Sequence, residues 1–175
     1  MKIQRAWAMP NKWTFQIPPI AELLARYVGD GKGWVDPFAG ENSPAEITND
    51  LNPDKPTMFH LDALEFLEQL KGKYIGALID PPYSPRQVKE CYDNIGIKMQ
   101  QTDALLGFTR KKWKVALNAI LQPNAVVITC GWNSVGMGRG LGFEIIEILL
   151  VCHGSDHNDT IVTVEVKIQD CLFVT

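Results

Sequence analysis

The sequence predicts a three-layer α/β domain on a mostly parallel sheet, closed by a C-terminal antiparallel hairpin. Three observations carry this. Short apolar runs alternate with stretches of helical periodicity along most of the chain. The run Tyr74–Ile79 carries no charged residue, the mark of a strand covered on both faces. Two longer apolar strands, residues 143–152 and 160–167, are joined by the polar residues 153–159, the pattern of a hairpin.

The elements follow in order. Residues 12–19 form an irregular lead-in, and Pro19, with φ already helical, starts a helix over 20–27. Gly29 and Gly31 end it. Residues 33–36 make a very short strand stopped by Pro37, and strands over 45–49 and 57–60 come next. Leu64, Leu67 and Leu70 share one face of a helix over 63–70. The strand over 74–79 ends at Asp80-Pro81-Pro82, because two prolines cannot sustain a ladder. Helices over 85–92 and 108–121 follow, then a buried strand over 125–130 and a Gly-rich stretch over 131–142. Only about eight residues separate Phe38 from Ile47, where a parallel crossover takes about 10–12. The first crossover helix is therefore expected to shrink to about one turn.

Composition bounds the function. The 175 residues are the size of one domain. Seventeen Lys and Arg against 20 Asp and Glu give a net charge of −3. That balance argues against a generally basic nucleic-acid coat protein, but it allows a local basic patch. The apolar runs fall far short of the roughly 18 residues a membrane span needs. The N-terminus lacks the apolar core of a signal peptide, so a soluble cytoplasmic protein is expected. Cys91, Cys130, Cys152 and Cys171 form no Cys-x-x-Cys pair. Cys130 and Cys152 lie in apolar runs and read as reduced core thiols.

In open parallel sheets, ligands bind outside the carboxyl ends of the strands. Two such ends are chemically unusual here: Asp36-Pro37-Phe38-Ala39-Gly40 and Asp80-Pro81-Pro82-Tyr83. Connectivity makes their strands near neighbours, so the two turns are expected to border one crevice. The successive prolines fix their own φ and restrict Asp80, which holds its carboxylate and the Pro81 carbonyl in a defined geometry. Tyr83 adds an aromatic face. Two acceptors beside a ring suit a flat heterocycle bearing an exocyclic amino group. Gly40 lets backbone approach a ligand closely. Asp50, an acid ending the following strand, stands where α/β nucleotide sites place a ribose-binding carboxylate. Asp62, just before a helix, also suits an N-cap.

Other patterns in the sequence are weaker. His153 and His157, with Asp156 and Asp159, read as a hairpin loop, and no metal is expected. Gly136, Gly138, Gly140 and Gly142 lack a following Gly-Lys-Ser/Thr and read as a mobile loop over the substrate. Trp132 and Asn133 are candidates to line the pocket, with core packing the alternative for Trp132. From Arg86 to Lys114 the chain is locally basic. Arg86, Lys89, Lys98, Arg110, Lys111, Lys112 and Lys114 stand against Glu90, Asp93 and Asp103, a net +4. The segment reads as a phosphate-binding wall or as a solvated helix face.

The two acidic turns, in this order, resemble those of the amino-group DNA methyltransferases, which use S-adenosylmethionine (SAM). The resemblance spans about residues 12–167. It implies a Rossmann-like methyltransferase fold with Asp80, Pro81, Pro82 and Tyr83 catalytic. It implies that Asp36, Pro37, Phe38, Ala39 and Gly40 form the SAM loop, with Phe15 as the upstream aromatic. Asp50 resembles the acid on the ribose hydroxyls, and Asp62-Ala63 stands where the family holds the cofactor's adenine amino group. Asp at the first motif position implies methylation of N6 of adenine in DNA, with the base flipped out. An RNA base amino group is the nearest alternative acceptor, and a catalytically weak SAM- or nucleic-acid-binding module is a third reading. Arg86, Lys89, Arg110, Lys111, Lys112 and Lys114 would contact the nucleic acid. Where the family loop often continues to a further Gly, Glu41-Asn42-Ser43-Pro44 stands here. Residues 1–175 barely contain a catalytic domain and show no separate target-recognition domain. Sequence specificity is therefore expected to be loose, or to come from short loops, a homodimer or a separate subunit.

Overall fold

The protein is described by a computed structural model over residues 1–82, 85–94, 96, 106–154 and 157–168. Its strands are β1 (Lys2–Trp7), β2 (Trp34–Asp36), β3 (Ile47–Thr48), β4 (Tyr74–Ile79), β5 (Leu121–Gly131), β6 (Phe143–Cys152) and β7 (Thr160–Lys167). Its helices are α1 (Pro18–Tyr27), α2 (Ala63–Gln69), α3 (Pro85–Asn94) and α4 (Leu106–Ile120). The seven strands form one sheet in the order β1-β6-β7-β5-β4-β2-β3. β3, β2, β4 and β5 run parallel, β7 is antiparallel to both β5 and β6, and β1 pairs parallel with β6. Every strand except β7 thus ends at the same edge of the sheet.

Pleating sends alternate side chains to opposite faces. On one face Ile20, Leu23 and Leu24 of α1 pack with Trp34, Leu78, Ile128, Val162 and Val164. On the other, Phe66 and Leu67 of α2 and Trp113 and Leu117 of α4 pack with Val35, Ala77, Ile79 and Val127. Helix, sheet and helix make the three expected layers. Trp34 stands opposite Gly76 across the β2–β4 pair, and a Cβ at Gly76 would lie 2.6 Å from the indole. The indole therefore lies flat on the neighbouring strand only because that position is glycine. Emptying the buried Leu117 to alanine would cost about 2–5 kcal/mol.

α1 begins at Pro18, where missing N–H groups cost nothing, and its apolar residues lie one helical turn apart. Its last turn is tied to β6. Arg26 makes two hydrogen bonds to Glu147, at 2.8 and 3.3 Å, and the Tyr27 hydroxyl donates a third at 2.7 Å. Glu147 is 2% exposed, so these donors keep a buried carboxylate satisfied. The Arg26 guanidinium holds its carboxyl below the usual range.

The structure departs from the expectations in five places. The strand β1 was not expected; it is an edge strand, exposed along nearly all its length, so it carries no buried alternation to read. Residues 57–60 form no strand, only a single bridge from Phe59 to Asn49, and the strand over 45–49 shrinks to Ile47–Thr48. The crossover between β2 and β3 contains no helix, only turns. β5 begins at Leu121, and its pairing with β4 jumps from Tyr74–Leu121 to Gly76–Val126. Pro123 and Asn124, the latter at φ 65, occupy that irregularity.

Candidate functional site

The crossover without a helix is held by side chains. Asp36, at the end of β2, is fully buried. One carboxylate oxygen accepts the Phe38 N–H at 2.9 Å, and the other accepts the Ser43 hydroxyl at 2.6 Å. The Ala39 N–H bonds the Asn49 carbonyl at 2.9 Å, and the Gly40 N–H bonds Asp50 Oδ2 at 3.1 Å. Gly40 sits at φ +57, in the left-handed region that favours glycine. Asn49 is buried and uses its whole amide. Its Nδ2 donates to the Pro37 and Leu61 carbonyls at 3.1 and 3.0 Å, and its Oδ1 accepts the Leu61 N–H at 2.9 Å.

Two chemical consequences follow. The N–H groups of residues 38, 39 and 40 are all spent inside the protein, so this loop is not a phosphate cradle. The carboxylates of Asp36 and Asp50 around it repel anions. Asp50 also accepts the Asn52 N–H, at 2.8 Å on Oδ1. Each carboxylate oxygen offers two lone pairs, so Asp50 retains acceptor capacity for a hydroxyl.

β4 lies beside β2, and Asp80 follows it at the same edge. Burial pushes the Asp36 carboxyl up to about 7, opposed by its Ser43 and Phe38 hydrogen bonds and reinforced by the charges of Asp80 and Asp50. Burial likewise raises Asp80 to about 6, and a hydrogen bond with Thr14 pulls it back. Cys130 of β5 completes the corner. Its thiol is pushed well above its ordinary value, first by burial and then by Asp80 and Asp36, so it stays protonated. Asp36 and Asp80 thus stand close enough for their charges to interact, at the ends of the neighbouring strands that connectivity implied.

Thr14 belongs to a short 3-10 turn, Thr14–Gln16, just before α1. Its neighbour Phe15 is 9% exposed and packs into the core with Leu78, Ile128 and Cys130. The lead-in is strapped to the loop after β2. Gln16 Nε2 donates to Asn42 Oδ1 at 2.6 Å, and Lys55 pairs with Glu41 at 2.7 Å while lying 5.3 Å from the centre of the Trp13 ring. Glu41, Asn42 and Ser43 thus each hold a neighbouring segment.

Of the other expected residues, Pro81 and Pro82 are partly exposed, and Tyr83 lies outside the described residues. Ala39 is buried, and Phe38 meets Trp113 of α4 edge-on at 5.6 Å. Asp62 caps α2 by accepting the Leu64 N–H at 2.9 Å, with Ala63 as the first helical residue. Lys89, Lys111 and Lys112 are exposed, and Arg86 is paired with Glu90 at 2.8 Å. Arg110 lies on α4, and Lys98 falls outside the described residues. Lys114 is turned inward, donating to the Gly136 carbonyl. The Gly-rich stretch is fastened at residues 137 and 138, whose N–H groups bond Glu165. His153 engages the Ala8 carbonyl and the Thr160 hydroxyl, each at 2.9 Å. Among the described residues no group of three His, Cys, Asp or Glu could hold a metal. Nor is any helix there long and apolar enough to cross a membrane.

No family model matches the chain, and no curated protein matches it in sequence. Solved structures do. It is similar to 1,6-didemethyltoxoflavin-N1-methyltransferase of Burkholderia thailandensis, solved with 1,6-didemethyltoxoflavin and S-adenosylhomocysteine, at a TM-score of 0.57. That match has 12% identity over 86% of this chain and 77% of the other. The N-methyltransferase NodS of Bradyrhizobium japonicum WM9 gives a TM-score of 0.56 and 8% identity over 85% of this chain and 94% of the other. The chain has the methyltransferase fold. TrmN of Thermus thermophilus matches at a TM-score of 0.51 and 18% identity, over 87% of this chain and 49% of TrmN. The chain therefore spans about half of TrmN's length. In this methyltransferase fold the Asp36 loop, Asp50 and the Asp80 turn all lie at one sheet edge, with the expected hairpin behind them.

Proposed function

We propose that the protein is a SAM-dependent methyltransferase acting on N6 of adenine in DNA. One observation carries the reading: an acidic corner at Asp36 and Asp80, beside a loop whose amides are already spent, adjoins the Pro81-Pro82 turn. A phosphate-bearing cofactor is disfavoured there. A cofactor carrying a sulfonium and an ammonium group suits it, and the S-adenosylhomocysteine in the Burkholderia enzyme is the thioether that such a sulfonium leaves when its methyl group is transferred. When bound, SAM would supply an electrophilic methyl group. The Asp36 loop and Gly40 would shape its seat, Asp50 would accept from its ribose hydroxyls, and Asp62 would bind its adenine amino group.

The protein's own part is positioning and electrostatics. The adenine amino nitrogen is a poor nucleophile because its lone pair is delocalised into the ring. Asp80 and the Pro81 carbonyl accept its two N–H bonds, which favours a pyramidal nitrogen and stabilises the positive charge that develops on it. Holding that nitrogen in line with the methyl group supplies much of the acceleration. A base in a duplex must be flipped out, at a few kcal/mol, and stacking on Tyr83 offsets part of this. Lys111 and Lys112 are assigned to the DNA backbone, as α4 meets the Asp36 loop through the Phe38–Trp113 contact, and Lys89 of α3 is assigned with them by its charge and exposure.

Incubation with methyl-labelled SAM and unmodified DNA or RNA, followed by nucleoside digestion, tests the reading. N6-methyladenine in DNA is the expected product. Label only in RNA overturns the DNA assignment, and SAM binding with no transfer to either overturns the enzyme.

A further inference from the structure

We infer that Glu165 is a positioning residue for the acceptor side of the site, an inference that rests on the methyltransferase reading above. Glu165 lies on β7, opposite Val127 of β5, and is fully buried. Its two oxygens accept the N–H groups of Met137 at 2.6 Å and Gly138 at 2.9 Å. The loop is shaped around that carboxylate. Gly136 sits at φ +50, and a Cβ there would lie 2.1 Å from Glu165 Oε2. From the other side Lys114 of α4 donates to the Gly136 carbonyl, and its positive charge offsets the buried negative one. Gly136 is clamped between helix and sheet.

The clamped segment is the direct continuation of β5. Ile79 of β4 stands opposite Thr129 of β5, so Asp80 and Cys130 follow that pair on neighbouring strands, and β5 runs on to Gly131. Trp132, 47% exposed, and Asn133, whose Oδ1 accepts the Val135 N–H at 3.1 Å, lie between the strand end and the clamp. With both ends held, the 132–135 turn has a fixed place as one wall of the acceptor's entrance. A buried carboxylate is a costly way to pack a core. Both of its hydrogen bonds among the described residues go to loop amides, so what it fixes is the loop.

The test uses the full chain, labelled SAM and an adenine-containing duplex oligonucleotide. Glu165→Gln keeps the side-chain shape but can accept through only one oxygen, and Gly136→Ala spoils the fit from the loop side. Each should raise KM for the DNA at least tenfold and leave SAM affinity, by calorimetry, within about threefold. Hydrogen exchange at Met137 and Gly138 should quicken. Trp132→Ala, outside the clamp, should raise the same KM. Freed amides with an unchanged KM for DNA, or an unchanged KM in Trp132→Ala, would overturn the inference while leaving the enzyme standing. Wild-type protein that methylates no nucleic acid would overturn the reading beneath it, and the inference with it.

Discussion

Asp36 and Asp80 close neighbouring strands, and the negative charge of Asp80 helps lift the buried Asp36 carboxyl to about 7. Burial is the larger cause, and the neighbouring charge adds to it, so the sheet edge carries an acidic corner here.

Stability should carry the signature of that corner. Both carboxyls titrate higher in the folded chain than the usual 3.8, Asp36 at about 7 and Asp80 at about 6. Between about pH 4 and 7 the folded state then binds more protons than the unfolded one, so stability falls as pH rises through that window. Asp36→Asn, which can still accept the Phe38 N–H and donate to Ser43, should be more stable than wild type at pH 8 by a few kcal/mol. At pH 4 the gain should nearly vanish. Urea melts at the two pH values check this, and a destabilised variant at pH 8 would contradict it.

Activity should show the opposite sense. Asp80 accepts from the amino group best when ionised, so transfer should rise with pH through about 6 and level off above it. Thr14→Val removes the hydrogen bond that lowers this carboxyl and should move the midpoint upward. Superimposable pH profiles for the two proteins would remove Thr14 from the account.

Asp80→Ala should reduce methyl transfer by about a thousandfold or more. Binding of S-adenosylhomocysteine, followed by calorimetry, should change by less than about threefold. Loss of both together would contradict the division between a cofactor crevice and an acceptor turn.

The lysines of α4 should divide by their surroundings. Replacing the exposed Lys111 and Lys112 with alanine should weaken DNA binding and flatten the plot of log affinity against log salt by about one per lysine. Lys114→Ala, which removes the contact to the Gly136 carbonyl, should lower thermal stability and leave that slope alone. An unchanged slope in the double variant would return Lys111 and Lys112 to a solvated helix face.

What was legible in the sequence is what prolines and uninterrupted apolar runs impose locally. Tyr74–Ile79 could only be a doubly covered strand, and Pro81 and Pro82 could only end it. Connectivity put that strand beside β2, which is what brings Asp36 and Asp80 together. What was not legible depends on distant partners. Asn49 reads as one more polar residue near a turn, yet its amide replaces the missing crossover helix by joining Pro37 to Leu61. Ser43 looked like a departure from the family loop and instead closes that loop onto Asp36. β1 exists only because β6 offers it an edge, and Glu165 shows its purpose only once Gly136 lies against it. Thr14 left no trace at all, being a single hydroxyl brought to Asp80 by the turn before α1.

The most direct test is a crystal structure with S-adenosylhomocysteine bound. The account predicts its ribose on Asp50, its chain along the Asp36 to Gly40 loop, and its sulfur facing the Asp80-Pro81 turn. A ligand lodged elsewhere, or a Pro81 carbonyl sealed from it by protein, would contradict the account.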